Sequence, residues 1–390
     1  MINLTKEIFG IGNLFFNKTG KPIFMDDNYF KGRFYDFVNQ IEKDKRTKSI
    51  CIYPDCSNKS IKNSHVIPKK AILKNIAKNG QVFYPKYLRP NYSIEQISIN
   101  SASTFPGFCT EHEKLFFGFE QMEGREDSSI SLQNFRIICR DYFALKIRQK
   151  HLRKAYEHYK SEIFSYNKKL IELHNNLTNK EIKLKDVKDE ITDDFENQLS
   201  VNESYITEIE KDLLLYKESY EKCNDNVVNY LLKFPYTLPL ALAGKSSFEV
   251  YHTDNKLNNK FTIYLSILPQ KNDTILNFTF STEYTADVNM ILANYIDDFR
   301  MLSFLESFII YGSDYWFINP DLWQSFSKKK KDKIKNDLLI TTYYPTKELD
   351  YSIFDDIRNK LIEEYKKYNH DDLSDKLILE SKKLDYFQNI

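Results

Sequence analysis

Four potential metal ligands fall into two short pairs, and these pairs constrain the fold more than any other feature of the sequence. Cys51 and Cys56 are separated by four residues, and Cys109 and His112 by two. A tight turn holds the two ligand atoms of such a pair about 3.5–4 Å apart, and two pairs complete a tetrahedron. We therefore predict that residues 51–56 and 109–112 meet around a structural Zn²⁺. Buried thiols beside a surface histidine are the alternative.

The composition is that of a folded protein and not of a disordered chain. Of the 390 residues, 42% are apolar and 28% are charged, which is an ordinary balance for a globular protein. The five cysteines are unlike the dense disulfide framework of small secreted domains. Lys and Arg number 56 and Asp and Glu number 55. Nucleic acid could therefore bind only at a local basic patch.

Two heptad patterns predict long helices in the middle of the chain. The first runs from Leu152 to Leu177 and the second from Ile206 to Val227, with apolar residues at spacings of four and three. Such a seam packs against another helix. An antiparallel hairpin within one chain satisfies the pattern, and so does a coiled coil between two chains. A homodimer or a protein partner through this region therefore stays open.

Alternating apolar residues predict antiparallel strands further along the chain, so we expect an α+β protein. The segments 261–267 and 276–280 alternate, and residues 269–273 between them are typical of a hairpin loop. A chain of this length exceeds what one core usually supports. We divide it into an N-terminal helical segment (1–48), a zinc-bound module (49–125), a long helical hairpin (126–232), an α+β domain (233–345) and a C-terminal helical tail (346–390).

Neither a membrane span nor a signal peptide is predicted. The apolar run Met301–Tyr311 contains Glu306 and is too short to cross a bilayer. The first residues, Met1–Glu7, lack the basic segment and the apolar stretch of a secretory signal. We expect a protein of the cytoplasm without a membrane partner.

The order of the ligand pairs around Asn63-Ser64-His65 resembles that of the zinc-bearing HNH endonucleases, which carry the ββα-metal fold. In the endonuclease VII-like branch of that family, a cysteine pair precedes a strand that ends in an acidic residue and a histidine. A second zinc pair then opens a helix. The two pairs of this chain, with Ser64-His65 between them and Glu113 directly after them, follow that order over about residues 49–125.

Two short segments are also similar to a group of uncharacterised bacterial proteins. Those proteins carry an Asn-Ser-His element and a Phe-Cys-x-x-His-Asp segment. The corresponding segments of this chain are Asn63–His65 and Phe108–Glu113, the latter with Glu in place of Asp.

The resemblance implies a metal-dependent endonuclease that hydrolyses phosphodiester bonds, with DNA as the expected substrate and antiphage defence as the expected setting. His65 would be the general base, and Glu113 would bind a catalytic Mg²⁺ or Mn²⁺. Ser64 departs from the family, where an Asp stands, and Glu113 is longer than the Asn or Asp found there. Glu120 lies on the same helical face as Glu113 and is a second candidate carboxylate. The candidate phosphate-binding residues are Lys69, Lys70, Arg148, Arg153 and Lys154.

Three alternatives stay open. Thr110 and Glu113 fit a capping box, in which Glu113 would cap its own helix and bind no metal. The basic residues fit a solvated helix face as well as a phosphate track. Finally, a non-catalytic module could use zinc only for stability while it binds nucleic acid or protein. A zinc hydrolase of another kind is disfavoured, because four protein ligands leave no open position on the metal.

Overall fold

The computed structural model describes residues 40, 43–44, 46–88, 91–121, 127–178, 190–222, 224–251, 258–340, 345–368 and 374–387. The chain divides into two units, one of Met1–Thr47 with Asp141–Lys211 and the other of Lys48–Arg140 with Asp212–Ile390. The N-terminal helical segment that we predicted over residues 1–48 lies almost wholly outside the described residues, and Cys223 on the second seam also lies outside them.

The strands are, in chain order, β1 (Ser64–His65), β2 (Gln81–Leu88), β3 (Asn91–Ser98), β4 (Thr104–Phe105), β5 (Val227–Phe234), β6 (Leu240–Tyr251), β7 (Asn258–Pro269), β8 (Thr274–Ser281) and β9 (Trp316–Ile318). The helices are α1 (Thr110–Glu113), α2 (Phe117–Gln121), α3 (Asp127–Thr178), α4 (Glu190–Lys222), α5 (Thr285–Leu292), α6 (Asp298–Ser307), α7 (Pro320–Ser325), α8 (Lys328–Asp337), α9 (Asp355–Tyr368) and α10 (Ser374–Asp385). Short helical segments also cover Lys69–Leu73 and Lys74–Ile76.

Within the described residues, seven strands form one antiparallel sheet in the order β3-β2-β9-β6-β7-β8-β5. The predicted hairpin is confirmed, since β7 and β8 pair from Tyr264↔Thr279 to Pro269↔Thr274. Ile263, Leu265 and Ile267 of β7 are fully buried, as their alternation predicts. The observed class is α+β with antiparallel sheets.

Residues 227–234 form strand β5, whereas the second heptad seam ended at Val227 and the predicted helical hairpin at residue 232. Helix α4 ends at Lys222, so the predicted hairpin was too long at its C-terminal end. Strand β5 pairs with β8 along its whole length, from Val227↔Ser281 to Phe234↔Thr274. The ladder satisfies its backbone groups, and the β-branched Val227 and Val228 suit a strand.

The sheet takes strands from two distant parts of the chain. The β2–β3 hairpin lies within the segment 49–125, and it joins the sheet through the pair Phe83↔Ile318 of β2 and β9. Its insertion between β1 and β4 leaves those two short strands to form a separate antiparallel ribbon. This ribbon belongs to the candidate site.

Helices α3 and α4 run antiparallel within the first unit. The Tyr142 hydroxyl donates to Glu210 at 2.9 Å, and further along α3 the Asn202 amide donates to Gln149 at 2.8 Å. Arg153 pairs with Glu203 at 3.5 Å. The order of these contacts is that of a hairpin within one chain. In the part of the chain that the structure describes, no helix is both long and apolar enough to cross a bilayer.

Candidate functional site

The first ligand pair lies in a tight turn over residues 51–56. The Cys56 N–H donates to the carbonyl of Tyr53 at 3.1 Å, and the Cys51 N–H donates to the carbonyl of Asn58 at 2.8 Å. Asp55 takes a left-handed conformation with φ of 66°, which an Asp tolerates better than most residues. The turn folds the chain back so that both thiols lie on one side.

The second pair opens helix α1, with Cys109 as its N-cap. The Cys109 N–H donates to Sγ of Cys51 at 3.3 Å, so a backbone donor supports a sulfur of the opposite pair. Gly107, just before the helix, is closely covered by the Phe105 ring. A Cβ atom on Gly107 would lie 2.2 Å from a ring carbon, so only glycine permits this approach without rearrangement.

The four side chains of the two pairs form a single cluster, which confirms that the pairs meet. Their ligand atoms all lie within 4.8 Å of one another. Sγ of Cys51 lies 3.4 Å from Nδ1 of His112, and the sulfurs of Cys56 and Cys109 are 3.9 Å apart. Zn–S bonds of about 2.3 Å in a tetrahedron require similar spacings. The cluster can hold a metal ion, and its three thiols and one imidazole suit zinc.

Tyr53 supports the cluster from the side. Its ring stacks on the His112 imidazole with centroids 3.9 Å apart and planes 7° apart. Its hydroxyl forms a hydrogen bond of 2.6 Å with the Tyr220 hydroxyl and donates to Glu221. These contacts fix the orientation of a ligand, a role that groups around metal sites commonly have. Sequence reasoning missed them, because Tyr220 is far away in the chain.

The β1–β4 ribbon carries His65, which lies between the two ligand pairs along the chain. Ser64 pairs with Phe105, and His65 pairs with Thr104. Nε2 of His65 lies 3.3 Å from the carbonyl oxygen of Ile99. A carbonyl can only accept a hydrogen bond, so in the neutral ring Nε2 carries the proton and Nδ1 is the basic nitrogen.

The surroundings of the His65 imidazole favour its neutral form. Burial lowers its pKa below the usual value of 6.5, and the positive charges of Arg136 and Lys69 act in the same direction. The carbonyl of Ile99 and the charge of Glu120 oppose the shift without cancelling it. A neutral imidazole can accept a proton, which is the property that a general base requires.

Glu113 contacts Arg136 and does not cap its helix, so the capping-box alternative is wrong. The N-cap is Cys109 and not Thr110, and no side chain caps the helix. Oε1 of Glu113 accepts from the guanidinium of Arg136. Burial raises the pKa of Glu113, while Arg136 and the nearby Ser64 hydroxyl oppose that rise. Oε2 is buried without a hydrogen-bond partner of regular geometry.

Arg136 also pairs with Glu120, so one guanidinium joins both candidate carboxylates. Its Nη1 donates to Oε1 of Glu120 at 3.0 Å, and its side chain is 0% exposed. Sequence reasoning missed Arg136. A signal was present, since this charged residue interrupts the apolar run 135–139 and a buried charge needs partners.

A catalytic divalent cation fits this site only in part. The Cys51, Cys56, Cys109 and His112 cluster is the single group of three or more ligand side chains found among the described residues. His65, Glu113 and Glu120 therefore do not form a ready-made cage. Mg²⁺, however, is commonly held by one or two carboxylates together with substrate phosphates. Glu120, whose side chain is 34% exposed, is the carboxylate more accessible to such an ion, whereas Oε2 of Glu113 is buried.

The candidate phosphate-binding residues fall in both units. Lys69 donates to Oδ1 of Asn100 at 3.2 Å, and Lys70 is exposed. In the other unit, Arg153 pairs with Glu203, while Arg148 and Lys154 are exposed. Their role in binding nucleic acid stays a prediction.

Comparison with known protein families, with characterised proteins and with solved structures found no match to this chain. The function therefore has to be argued from the site itself.

Proposed function

We propose that residues 49–121 form a zinc-stabilised HNH-type module that hydrolyses phosphodiester bonds in nucleic acid. The observation that carries this proposal is the placement of His65. It lies on a two-stranded antiparallel ribbon, where its neighbour Ser64 is close to Glu113 and its own ring is within electrostatic range of Glu120 and Arg136. This is the order of elements in the ββα-metal fold, and a neutral histidine at that point has the right chemistry for a base.

The metal of the Cys₃His cluster stabilises the fold and takes no part in the reaction. Four protein ligands saturate a tetrahedral zinc, so no position is left for water or substrate. The cluster instead ties the turn at residues 51–56 to the start of α1, and this sets Glu113 next to the ribbon.

Removal of one zinc ligand tests whether zinc stabilises this module. We expect Cys109→Ser to lose tightly bound zinc and to unfold residues 49–121, because the binding of a structural zinc is coupled to folding. That coupling is worth about 10–16 kcal/mol in isolated zinc-finger peptides. Elemental analysis and hydrogen exchange measure both effects. Cys139→Ser is the matched control, since Cys139 is a buried thiol outside the cluster. Wild-type protein that holds no zinc after purification would contradict the proposal that zinc stabilises the module.

In the reaction, Nδ1 of His65 accepts a proton from water as the water oxygen attacks phosphorus. The new O–P bond forms as the P–O bond to the leaving oxygen breaks, and the leaving oxygen keeps the electron pair of that bond and takes a proton from solvent water. Lys69 and Lys70, close to His65 in the chain, bind the phosphate backbone by charge. Mg²⁺ or Mn²⁺ at Glu113, if bound together with the phosphate, supplies Lewis-acid polarisation of a phosphoryl oxygen.

His65→Ala tests the reaction. We expect wild-type protein to cleave DNA with Mg²⁺ or Mn²⁺ and the variant to lose about 10²–10⁴ in rate, which is the usual contribution of a positioned base. Zinc content and melting should stay unchanged, because His65 is not one of the cluster ligands. His151→Ala is a matched control, since His151 is in the other unit. Wild-type protein that cleaves neither DNA nor RNA with any common divalent ion would overturn the proposal.

A non-catalytic module is the second candidate, and the ion pairs of Arg136 favour it. A buried guanidinium that satisfies two glutamates is also a purely structural arrangement. Under this alternative the chain binds nucleic acid or protein without cleaving it, and wild-type and His65→Ala proteins bind equally well. Binding assays on the same two proteins separate the candidates.

A further inference from the structure

Strand β5 forms one edge of the seven-stranded sheet, and this edge is apolar and exposed. It pairs with β8 along its whole length, and no other described strand pairs with its outer side. Lys233 is the one charged residue in its sequence, while Leu231 and Leu232 are 40% and 38% exposed. An edge of this kind offers outward N–H and C=O groups to another strand, and proteins commonly protect such edges with charged side chains.

The opposite edge of the same sheet, strand β3, is protected in that way. Glu95 lies within β3 and pairs with Lys86 of β2 at 3.0 Å. The isoleucines of β3, Ile94 and Ile97, are half-buried. The exposure of apolar side chains is therefore a property of the β5 edge and not of both edges of the sheet.

A groove with a volume of about 400 Å³ lies between β5 and the chain around the start of helix α6. Tyr230, Leu232 and Phe234, which are alternate residues of β5, line one wall, as the period of a strand predicts. Ile296 and Met301 line the other wall, and Ile296 is 84% exposed. An extended chain beside β5 would direct every second side chain into this groove.

The groove also contains a carboxylate without a counter-charge. Asp298, at the start of α6, lines the groove and is half-buried. Burial raises its pKa, and the negative charges of Asp297 and Glu364 act in the same direction. The capping of α6 is performed by Asp297, which accepts from the N–H of Arg300 at 3.1 Å. Asp298 is therefore available to a cation that enters the groove.

This charge decides between two occupants that would extend the sheet. Antiparallel pairing of two β5 strands about a two-fold axis would place two such grooves side by side, with two uncompensated Asp298 carboxylates. Lys233 would not neutralise them, since it pairs with Asp273 of its own chain at 2.8 Å. A foreign segment that carries Lys or Arg among apolar residues complements both the walls and the acid.

We propose that β5 and its groove bind an extended segment of a partner protein by strand addition, with apolar residues at alternate positions and a Lys or Arg that pairs with Asp298. Main-chain hydrogen bonds to β5 hold the segment, and the groove selects its alternate side chains. The surface uses no residue of the His65 site, so this inference goes beyond the proposed function.

Selection from a library of random peptides of about ten residues, long enough to pair with a whole strand, tests the proposal on the full zinc-loaded chain. We expect enriched peptides to alternate apolar and polar residues and to share a Lys or Arg. Selection on Asp298→Asn should keep the alternation and lose the basic residue, because the substitution removes only the charge. The absence of an enriched family, or a family without alternation, would overturn the proposal.

Two neighbouring leucines of β5 give a matched pair of variants. The peptide most enriched on wild-type protein is synthesised, and its affinity is measured by fluorescence anisotropy. We expect Leu232→Lys to weaken binding at least about tenfold, because it places a charge among the apolar walls. Leu231→Lys should change affinity less than about twofold, since Leu231 is similarly exposed but faces the other side of the sheet. Equal effects of the two substitutions would exclude the groove as the binding site.

Hydrogen exchange tests the mode of binding. Addition of the same peptide should slow exchange of β5 amides at least about tenfold and leave those of the β3 edge unchanged. Unchanged exchange in β5 would refute strand addition. Light scattering that shows a dimer of wild-type protein, and a monomer of Leu232→Lys, would assign the surface to a second copy and overturn the proposal of a foreign segment.

Discussion

Arg136 and Arg358 are both fully buried, and each lies between two glutamates, but the surroundings of the two arginines differ. Arg358 of α9 pairs with Glu306 and Glu380, which are 1% and 5% exposed. Glu306 is further satisfied by the backbone N–H groups of Ile353 and Phe354. Every charge in this cluster is inside the protein, and the group joins three helices of the second unit.

The Arg136 cluster is less completely buried. Glu113 and Glu120 are 20% and 34% exposed, although Oε2 of Glu113 is itself buried and lies near the Ser64 hydroxyl. His65, whose pKa is lowered, lies within electrostatic range of Arg136 and Glu120. A buried acid that serves only the fold is normally supplied with hydrogen-bond donors, as Glu306 is. A partly exposed acid near a titratable histidine is typical of a site that meets a ligand.

The largest effect on stability should come from a substitution in the Arg358 cluster. We expect Arg358→Met to lower the free energy of unfolding by about 3–5 kcal/mol, because removal of one partner leaves two carboxylates that cannot reach water. Chemical denaturation, or hydrogen exchange over Asp355–Tyr368, measures the loss. A change below about 1 kcal/mol would mean that the cluster contributes no more than a surface ion pair.

The same substitution in the Arg136 cluster should lower the free energy of unfolding by a smaller amount. We expect Arg136→Met to lower the free energy of unfolding by about 1–3 kcal/mol, because Glu113 and Glu120 can turn toward solvent once their partner is gone. Denaturation curves recorded beside those of Arg358→Met give the comparison directly. An equal or larger loss at Arg136 would remove the distinction between the two clusters.

The smallest effect concerns the titration of His65. Its pKa lies below the usual value of 6.5, so the base form persists at lower pH than in an ordinary histidine. We expect Arg136→Met to raise this pKa, because a positive charge that disfavours the imidazolium is lost. NMR titration of the ring protons measures it, and the acid side of the cleavage–pH profile should move to higher pH in parallel. Arg358→Met should leave the pKa unchanged.

The Cys₃His cluster was predictable because its signal is local. Cys51 with Cys56 and Cys109 with His112 are short-range pairs, and thiols and imidazoles at such spacings have few other uses. The β7–β8 hairpin was predictable for the same reason, since alternation and a turn lie in one continuous segment. The predicted helical hairpin extended too far, to residue 232, because pairing with β8 decides the conformation from Val227 onward.

The sequence by itself determined which residue types are available: the ligand pairs, the histidine between them and the glutamate after them. Only the tertiary structure decided what Glu113 does. Its partner Arg136 lies on another helix, 23 residues away, and no local spacing links the two. The buried arginine, rather than any motif, joins Glu113 and Glu120 into one cluster. Such charge pairing depends on distance in space and on the exclusion of water, and neither can be obtained from the order of residues along the chain.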